Sequence, residues 1–305
     1  MSTPANIAPE IRTTPGTEIS VFRSFLWSVR RELWEHRLIV GAPVVAGAVT
    51  LFFYLINVVM VRYRMHGVWP TDPQKLHGLL MEPYVFAAGL VMGTAFIIGL
   101  YYCLEALYGE RRDRSILFWK SMPVSDWTTV LSKVAIPFLI LPLLSFVITV
   151  ATQILMLVLS SLLLLGSGLG ASTLLAHASI FHDSVTMMYH IVTVHGLWYA
   201  PFYGWLLFVS ALVPRAPLVW AFLPPFLIGG LEMAIFNSNH FFTLLLHRLR
   251  GPETPAMAHV NNVMDVMAAL GPLEFLTLPG LWIGLAIAAA FLTGAVRLRR
   301  SRGPA

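Results

Sequence analysis

The segment Leu38–Val61 reads LIVGAPVVAGAVTLFFYLINVVMV and contains no charged side chain. A helix needs about 20 predominantly apolar residues to cross a hydrocarbon layer roughly 30 Å thick. This run has that length, and it lacks the polar face that a helix at the surface of a soluble domain keeps toward water. Comparable runs follow at Pro83–Leu104, Val134–Leu165, Ile191–Val213, Pro217–Phe236 and about Phe275–Val296. The sequence therefore predicts an all-α membrane protein with six transmembrane helices. The third run is too long for one perpendicular span. Either it tilts and extends beyond the bilayer, or Pro137 and Pro142 kink it near its start.

Composition agrees with the run lengths. The chain has 305 residues, of which 57% are hydrophobic and only 11% charged, against roughly 25% charged in an ordinary globular domain. Lipid is the solvent such a chain is built for. Its single cysteine, Cys103, excludes an internal disulfide or a multi-cysteine metal site and reads as a small buried hydrophobe. Residues 1–16 contain Pro4, Pro9, Pro15 and Gly16 and read as a disordered lead. No apolar signal-peptide core occurs in the first 30 residues.

Basic residues collect on the cytoplasmic side of a membrane protein. Fifteen of the 20 Lys and Arg residues fall in the N-terminal segment, the loop after span two, the turn at Arg215 and the tail after span six. The remaining five are Arg62, Arg64, Lys75, Arg248 and Arg250. This asymmetry predicts both termini in the cytoplasm, which an even number of spans allows. The expected organisation is a lead (1–16), an amphipathic helix (17–37), a transmembrane region (38–297) and a basic cytoplasmic tail (298–305). Within the transmembrane region lie a cytoplasmic loop (105–133) and an outer segment (237–272), the latter long enough to hold partly embedded helices.

The stretch Glu18–Arg37 has Phe22, Phe25, Leu26, Val29 and Leu33 at helical spacing. Arg23, Arg30 and Arg37 recur every seven residues beside that face, with Trp27 and Trp34 next to them. Cations and tryptophans bordering an apolar face suit a helix lying in the membrane interface. The plainer reading is an extension of span one.

The loop 105–133 mixes charge with aromatic side chains: EALYGERRDRSILFWKSMPVSDW opens it. Glu110 and Arg114 stand at i,i+4, a spacing that favours helix. Ile116, Leu117, Phe118, Trp119 and Met122 follow with no lipid-length run to bury them, which suggests a docking surface for another protein. A solvated loop whose aromatics rest on the interface is the other reading. Pro123 stops this helix, and Ser125 is placed to cap the next.

Gly109–Ile116 (GERRDRSI), Phe118–Ser125 (FWKSMPVS) and Lys133 resemble the corresponding loop of bacterial ABC-2 type transporter permeases. The segment Trp198–Pro225, with Pro201, Trp205, Ser210 and Pro217, is similar to that family as well. The resemblance implies an exporter permease of the bacterial inner membrane, working as a homo- or heterodimer with two separate ATP-binding cassette ATPase subunits. It implies a coupling role for Glu110, Arg111, Arg112, Asp113, Arg114, Phe118, Trp119 and Lys120. The interfacial helix, through Arg23, Arg30, Trp34 and Arg37, would add a second contact. ATP and Mg would reside on the partner, since the chain has no G-x-x-x-x-G-K-[ST] phosphate loop. No cofactor, catalytic residue or resident metal is expected in this chain; membrane lipid is an expected partner and nucleic acid is not.

Ionisable groups inside a membrane are candidates for function. Glu232, near the outer end of span five, would line a substrate path or gate, or pair with Arg248 or Arg250. Gln153 is the main polar group of span three. The outward-facing histidines, His66, His77, His177, His182, His240, His247 and His259, together with His190 and His195, match no ligand spacing. A metal-handling protein or intramembrane enzyme using those His and Met residues is the alternative function. Gly89, Gly93, Ala95 and Gly99 on span two would permit close helix packing, within the subunit or at a dimer seam.

Overall fold

The computed structural model describes residues 21–65, 73–121, 124–163, 188, 196–251 and 272–302. Among them no strand occurs, and five helices are long and apolar enough to cross a membrane. This is a multi-pass helical membrane protein by length and composition. The chain begins with α1 (Val21–Glu35), followed by α2 (Leu38–Met65) and α3 (Pro73–Ala106). Short helices α4 (Tyr108–Arg112) and α5 (Ile116–Ser121) lead into α6 (Asp126–Ala135), a π-helical turn (Ile136–Ile140) and α7 (Leu141–Leu163). After α8 (Ala200–Leu212) come α9 (Pro217–Phe236), α10 (His240–Arg250), α11 (Pro272–Thr277) and α12 (Pro279–Ser301).

The π-helical turn answers the question of the overlong third run. Pro137 has no N–H to give the Lys133 carbonyl, and the Ile136 N–H donates to that carbonyl instead. The backbone widens there and resumes as α-helix at Leu141, a known response to a ladder bond that cannot form. Helix thus runs from Asp126 through Leu162. At its start the Ser125 hydroxyl accepts the Thr128 N–H at 3.0 Å, the cap expected from the sequence.

Helices α2, α3 and α7 pack on one another, and α8 packs against α3 and α12. Tyr102, Cys103, Ile136, Leu141, Tyr203 and Leu207 lie in the main core. Cys103 is fully buried and free, as its apolar surroundings in the sequence suggested. Without water, buried hydroxyls need internal acceptors. Ser145 donates to the Leu141 carbonyl and Thr152 to that of Ile148, while Tyr54 Oη and Ser160 Oγ meet at 3.0 Å across α2 and α7.

Some expected boundaries shift. The last helix does not run from Phe275; it starts at Pro279, whose fixed φ and missing N–H suit a first helical position. It also continues through the basic Arg297–Arg300 because Arg299 is buried against acidic partners. Of the expected fourth span, α8 covers the last part; residues 189–195 lie outside the described residues.

The expected use of small residues in span two holds in part: Ala95 is buried in the main core, and a Cβ at Gly99 would stand 3.5, 3.6 and 3.8 Å from the side chains of Leu141, Pro137 and Tyr203. A Cβ at Gly89 or Gly93 would meet nothing, so neither glycine is used for packing within the chain. A closer approach, to backbone, occurs at Gly204, where a Cβ would stand 3.2 Å from the Cα and carbonyl oxygen of Ala288 on α12.

Candidate functional site

Helix α1 ends at Glu35 and a turn at His36–Arg37 separates it from α2. It packs on α6 rather than stacking on the span that follows. Val29 is buried and Phe25 and Leu33 pack beside it. Glu32 shares this inward face, three residues after Val29, and is fully buried. A buried carboxylate must be paired and hydrogen-bonded to stay ionised.

Its partners come from far along the chain. Lys133 of α6, itself 1% exposed, places Nζ 2.9 Å from Glu32 Oε1 and 3.1 Å from Glu110 Oε1. Tyr102 of α3 donates its hydroxyl to Glu32 Oε2 at 2.7 Å. Arg31 also pairs with Glu32, and its Nη2 donates to Glu110 Oε1 at 3.2 Å. From α12, Arg299 reaches Glu110 Oε2 at 3.2 Å and pairs with Asp126, which also has Arg300 at 3.7 Å. Carboxylates Glu32, Glu110 and Asp126 are thus interleaved with Arg31, Lys133 and Arg299. The cluster joins α1, α3, α4, α6 and α12 at the basic end of the bundle.

Burial alone would push the Glu32 carboxyl up; Lys133 and Arg31 overcome this and hold it at about 2. Burial pulls His36 below its ordinary 6.5, with Glu32 opposing. At neutral pH His36 is therefore a neutral ring, standing edge-on to Tyr102 at 5.1 Å rather than forming an ion pair. The oxygens and nitrogen of Glu32, Glu35 and His36 come within 4.8 Å of one another, a grouping that invites a cation. Lys133 and Arg31 already occupy the Glu32 carboxylate, and their charge repels a metal ion there.

The cluster anchors a short surface helix. Ser210 of α8 accepts the Leu107 and Tyr108 N–H groups and donates to the Leu104 carbonyl, so it satisfies the break between α3 and α4. Arg111 donates to the carbonyls of Ala211 at 2.7 Å and Val213 at 3.3 Å. Trp119 of α5 lies against the Arg31 guanidinium, 3.8 Å from ring centroid to Cζ. Lys120 donates to the Arg302 carbonyl at 3.0 Å, and Ile116 is buried. The opposite side of α5 is bare: Leu117 is 58% and Phe118 59% exposed.

No protein-family model matches this chain. No curated protein and no solved structure matches it either.

The coupling residues expected from the sequence divide into two groups. Glu110 and Arg111 are buried, and Trp119 is half-buried against Arg31. Arg112, Asp113, Arg114, Phe118 and Lys120 are exposed. The expected Glu110–Arg114 pairing gives way to the inward one, because α4 ends at Arg112 and Arg114 takes a left-handed backbone with φ 59°. Arg112 turns instead to Glu105 at 2.9 Å and Asp113 at 3.0 Å. The turn at Met122–Pro123 lies outside the described residues.

On α1, Arg23, Arg30 and Trp34 are exposed, as is Arg37 in the following turn. Arg30 stands over both Trp27, at 5.5 Å, and Trp34, at 4.9 Å. Gln153 is buried in the α3–α7 contact, donating to the Tyr84 carbonyl at 3.3 Å. Glu232 does not pair with Arg248 or Arg250. It accepts the Ser238 hydroxyl at 2.7 Å and the His240 and Phe241 N–H groups at 2.9 and 2.8 Å, so it closes the α9–α10 hairpin. Arg248 is held elsewhere, donating to the Trp198 and Gly280 carbonyls with its guanidinium 3.9 Å from the Trp198 ring. His66, His177, His182, His190, His195 and His259 lie outside the described residues, as does the side chain of His77.

Sequence reading missed Glu32, Arg299 and Tyr102 as members of a site. One signal was present for Glu32: it interrupts the apolar face of an amphipathic helix, where a carboxylate must find a buried cation.

Proposed function

We propose that this chain is the permease subunit of an ATP-driven exporter of the ABC-2 type, with six spans and both termini in the cytoplasm of a bacterial inner-membrane assembly. Two ATP-binding cassette ATPase subunits and a second permease complete the complex, and ATP and Mg sit on the ATPases. The observation that carries this reading is the bare apolar edge of α5, Leu117 and Phe118, rooted directly in a buried ion-pair cluster. An exposed apolar edge beside charged residues suits a protein partner. Arg112, Asp113, Arg114 and Lys120 are exposed within a few residues of it in the chain and would supply the polar rim of that contact.

The cluster supplies the mechanical link. A push on α5 is carried by Trp119 and Arg31 into α1, by Glu110 and Lys133 into α6, and by Arg299 into α12. Buried ion pairs are geometrically specific, so the elements they join move together or exchange partners as a set. The energy of ATP binding would reach the spans through these contacts, with Glu110 as the shared acceptor of three cations.

The test is biochemical. The intact chain, purified from its membrane, should carry an ATPase subunit bearing a phosphate-loop motif, and reconstitution with the chain should change that subunit's ATP turnover. A wild-type preparation with no such subunit, or turnover indifferent to the chain, overturns the proposal.

A further inference from the structure

The elbow between α1 and α2 holds a cleft apart from the α5 edge on which the coupling reading rests. An open cleft of about 380 Å³ lies there, lined by Leu33, Trp34, Arg37 and Val40. Its walls are apolar apart from one guanidinium. Leu38, next to Arg37 in the chain, is exposed, as are Trp27, Leu26 and Phe22 of α1. Arg30 is steadied between the faces of Trp27 and Trp34.

Charge decides what fits. Arg31, though adjacent in sequence, is turned inward and taken up by Glu32, Glu110 and Glu35. Arg23, Arg30 and Arg37 are exposed, and among the described residues none has a carboxylate partner within ion-pair distance. The outer face of α1 and the elbow therefore present guanidiniums next to apolar and indole surface. An acyl chain matches the walls of the cleft, and a phosphate matches the guanidiniums, which bind it in a forked geometry that an ammonium cannot reproduce.

We propose that the α1–α2 elbow binds an anionic phospholipid, with its phosphate at Arg37, an acyl chain along Leu33, Trp34 and Val40, and Arg30 adding positive charge from its place over the Trp34 ring. The proposal rests on the membrane reading of the fold and is independent of the transporter reading. Two arginines at an anionic surface favour it over a neutral one by roughly tenfold or more.

The intact chain is reconstituted in phosphatidylcholine vesicles containing a minor fraction of brominated lipid, either phosphatidylglycerol or phosphatidylcholine. Subtracting the signal of Trp34→Phe isolates the quenching of Trp34. Brominated phosphatidylglycerol should quench Trp34 at a roughly tenfold lower mole fraction than brominated phosphatidylcholine. Arg30→Gln/Arg37→Gln should erase that preference while leaving the protein monodisperse. Arg215→Gln, a charge removed from the turn before α9, should leave it intact. Equal quenching by the two headgroups in wild type overturns the proposal, as does an equal loss in Arg215→Gln. Abolition of the preference by inorganic phosphate alone also overturns it, because the occupant would then be a soluble anion. Loss of ATPase association with the lipid preference intact would strike the exporter reading and leave this one standing.

Discussion

Removing the Lys133 ammonium leaves Glu32 and Glu110 inside the protein without the cation they share. Breaking one partner out of a buried pair costs about 3–5 kcal/mol, because the remaining charge is uncompensated. Lys133→Met should accordingly lower the thermal unfolding midpoint in detergent far more than Lys120→Met, whose ammonium is exposed. A difference within error between the two variants would mean the cluster is not under load. Acid gives a second view of the same site. Above the ordinary value of 4.5 the Glu32 carboxyl is ionised whether the chain is folded or unfolded, and only the folded form offers it partners. That stabilisation is lost as pH falls from 4.5 toward about 2, where the folded-state carboxyl takes up its proton. Glu32→Gln should be less stable at neutral pH and should show a shallower loss through the upper part of that window. Parallel unfolding profiles for the two proteins would contradict the assignment.

At the scale of elements, the five long helices were legible because run length against bilayer thickness is a coarse and robust signal. Leu38–Met60 and Pro217–Phe236 fall almost where the apolar runs place them. The cap at Ser125 was legible for a similar reason, since a serine two residues after a proline has few other local uses. The ion-pair cluster was not, because its members are joined only by tertiary structure: Glu32 and Lys133 are 101 residues apart and Glu110 and Arg299 are 189 apart. Local spacing pointed Glu110 toward Arg114, and tertiary partners overrode it. The glycines were legible in part: Gly99 of span two packs against Leu141, Pro137 and Tyr203, a Cβ at Gly89 or Gly93 would meet nothing within the chain, and Gly204 meets the backbone of α12. Gly204→Val should force α8 and α12 apart and cost about 1–3 kcal/mol, as overpacking does. Gly89→Val should be near neutral in the same thermal assay. Equal effects at the two positions would show that the α8–α12 crossing is not the close contact described above.

For the whole molecule, the distribution of exposed surface separates two environments. Helix α9 buries only 11% of its apolar window and exposes Leu218, Phe222, Phe226 and Leu231, which is how a helix bathed in lipid presents itself. At the basic end, by contrast, the exposed Leu117 and Phe118 of α5 sit beside a cluster of buried charge. Among the described residues of the spans, Gln153 serves packing between α3 and α7, and Glu232 closes a hairpin. Function in this reading is concentrated where α5 leaves the bundle. The decisive measurement compares the wild-type chain with Leu117→Ser/Phe118→Ser, both purified as intact protein and mixed with the ATPase subunit that the proposed function expects to co-purify with the wild type. The variant should keep the wild-type unfolding midpoint, lose the ATPase, and no longer alter its ATP turnover. A variant that binds the ATPase and changes its turnover as the wild type does would contradict the docking role of α5.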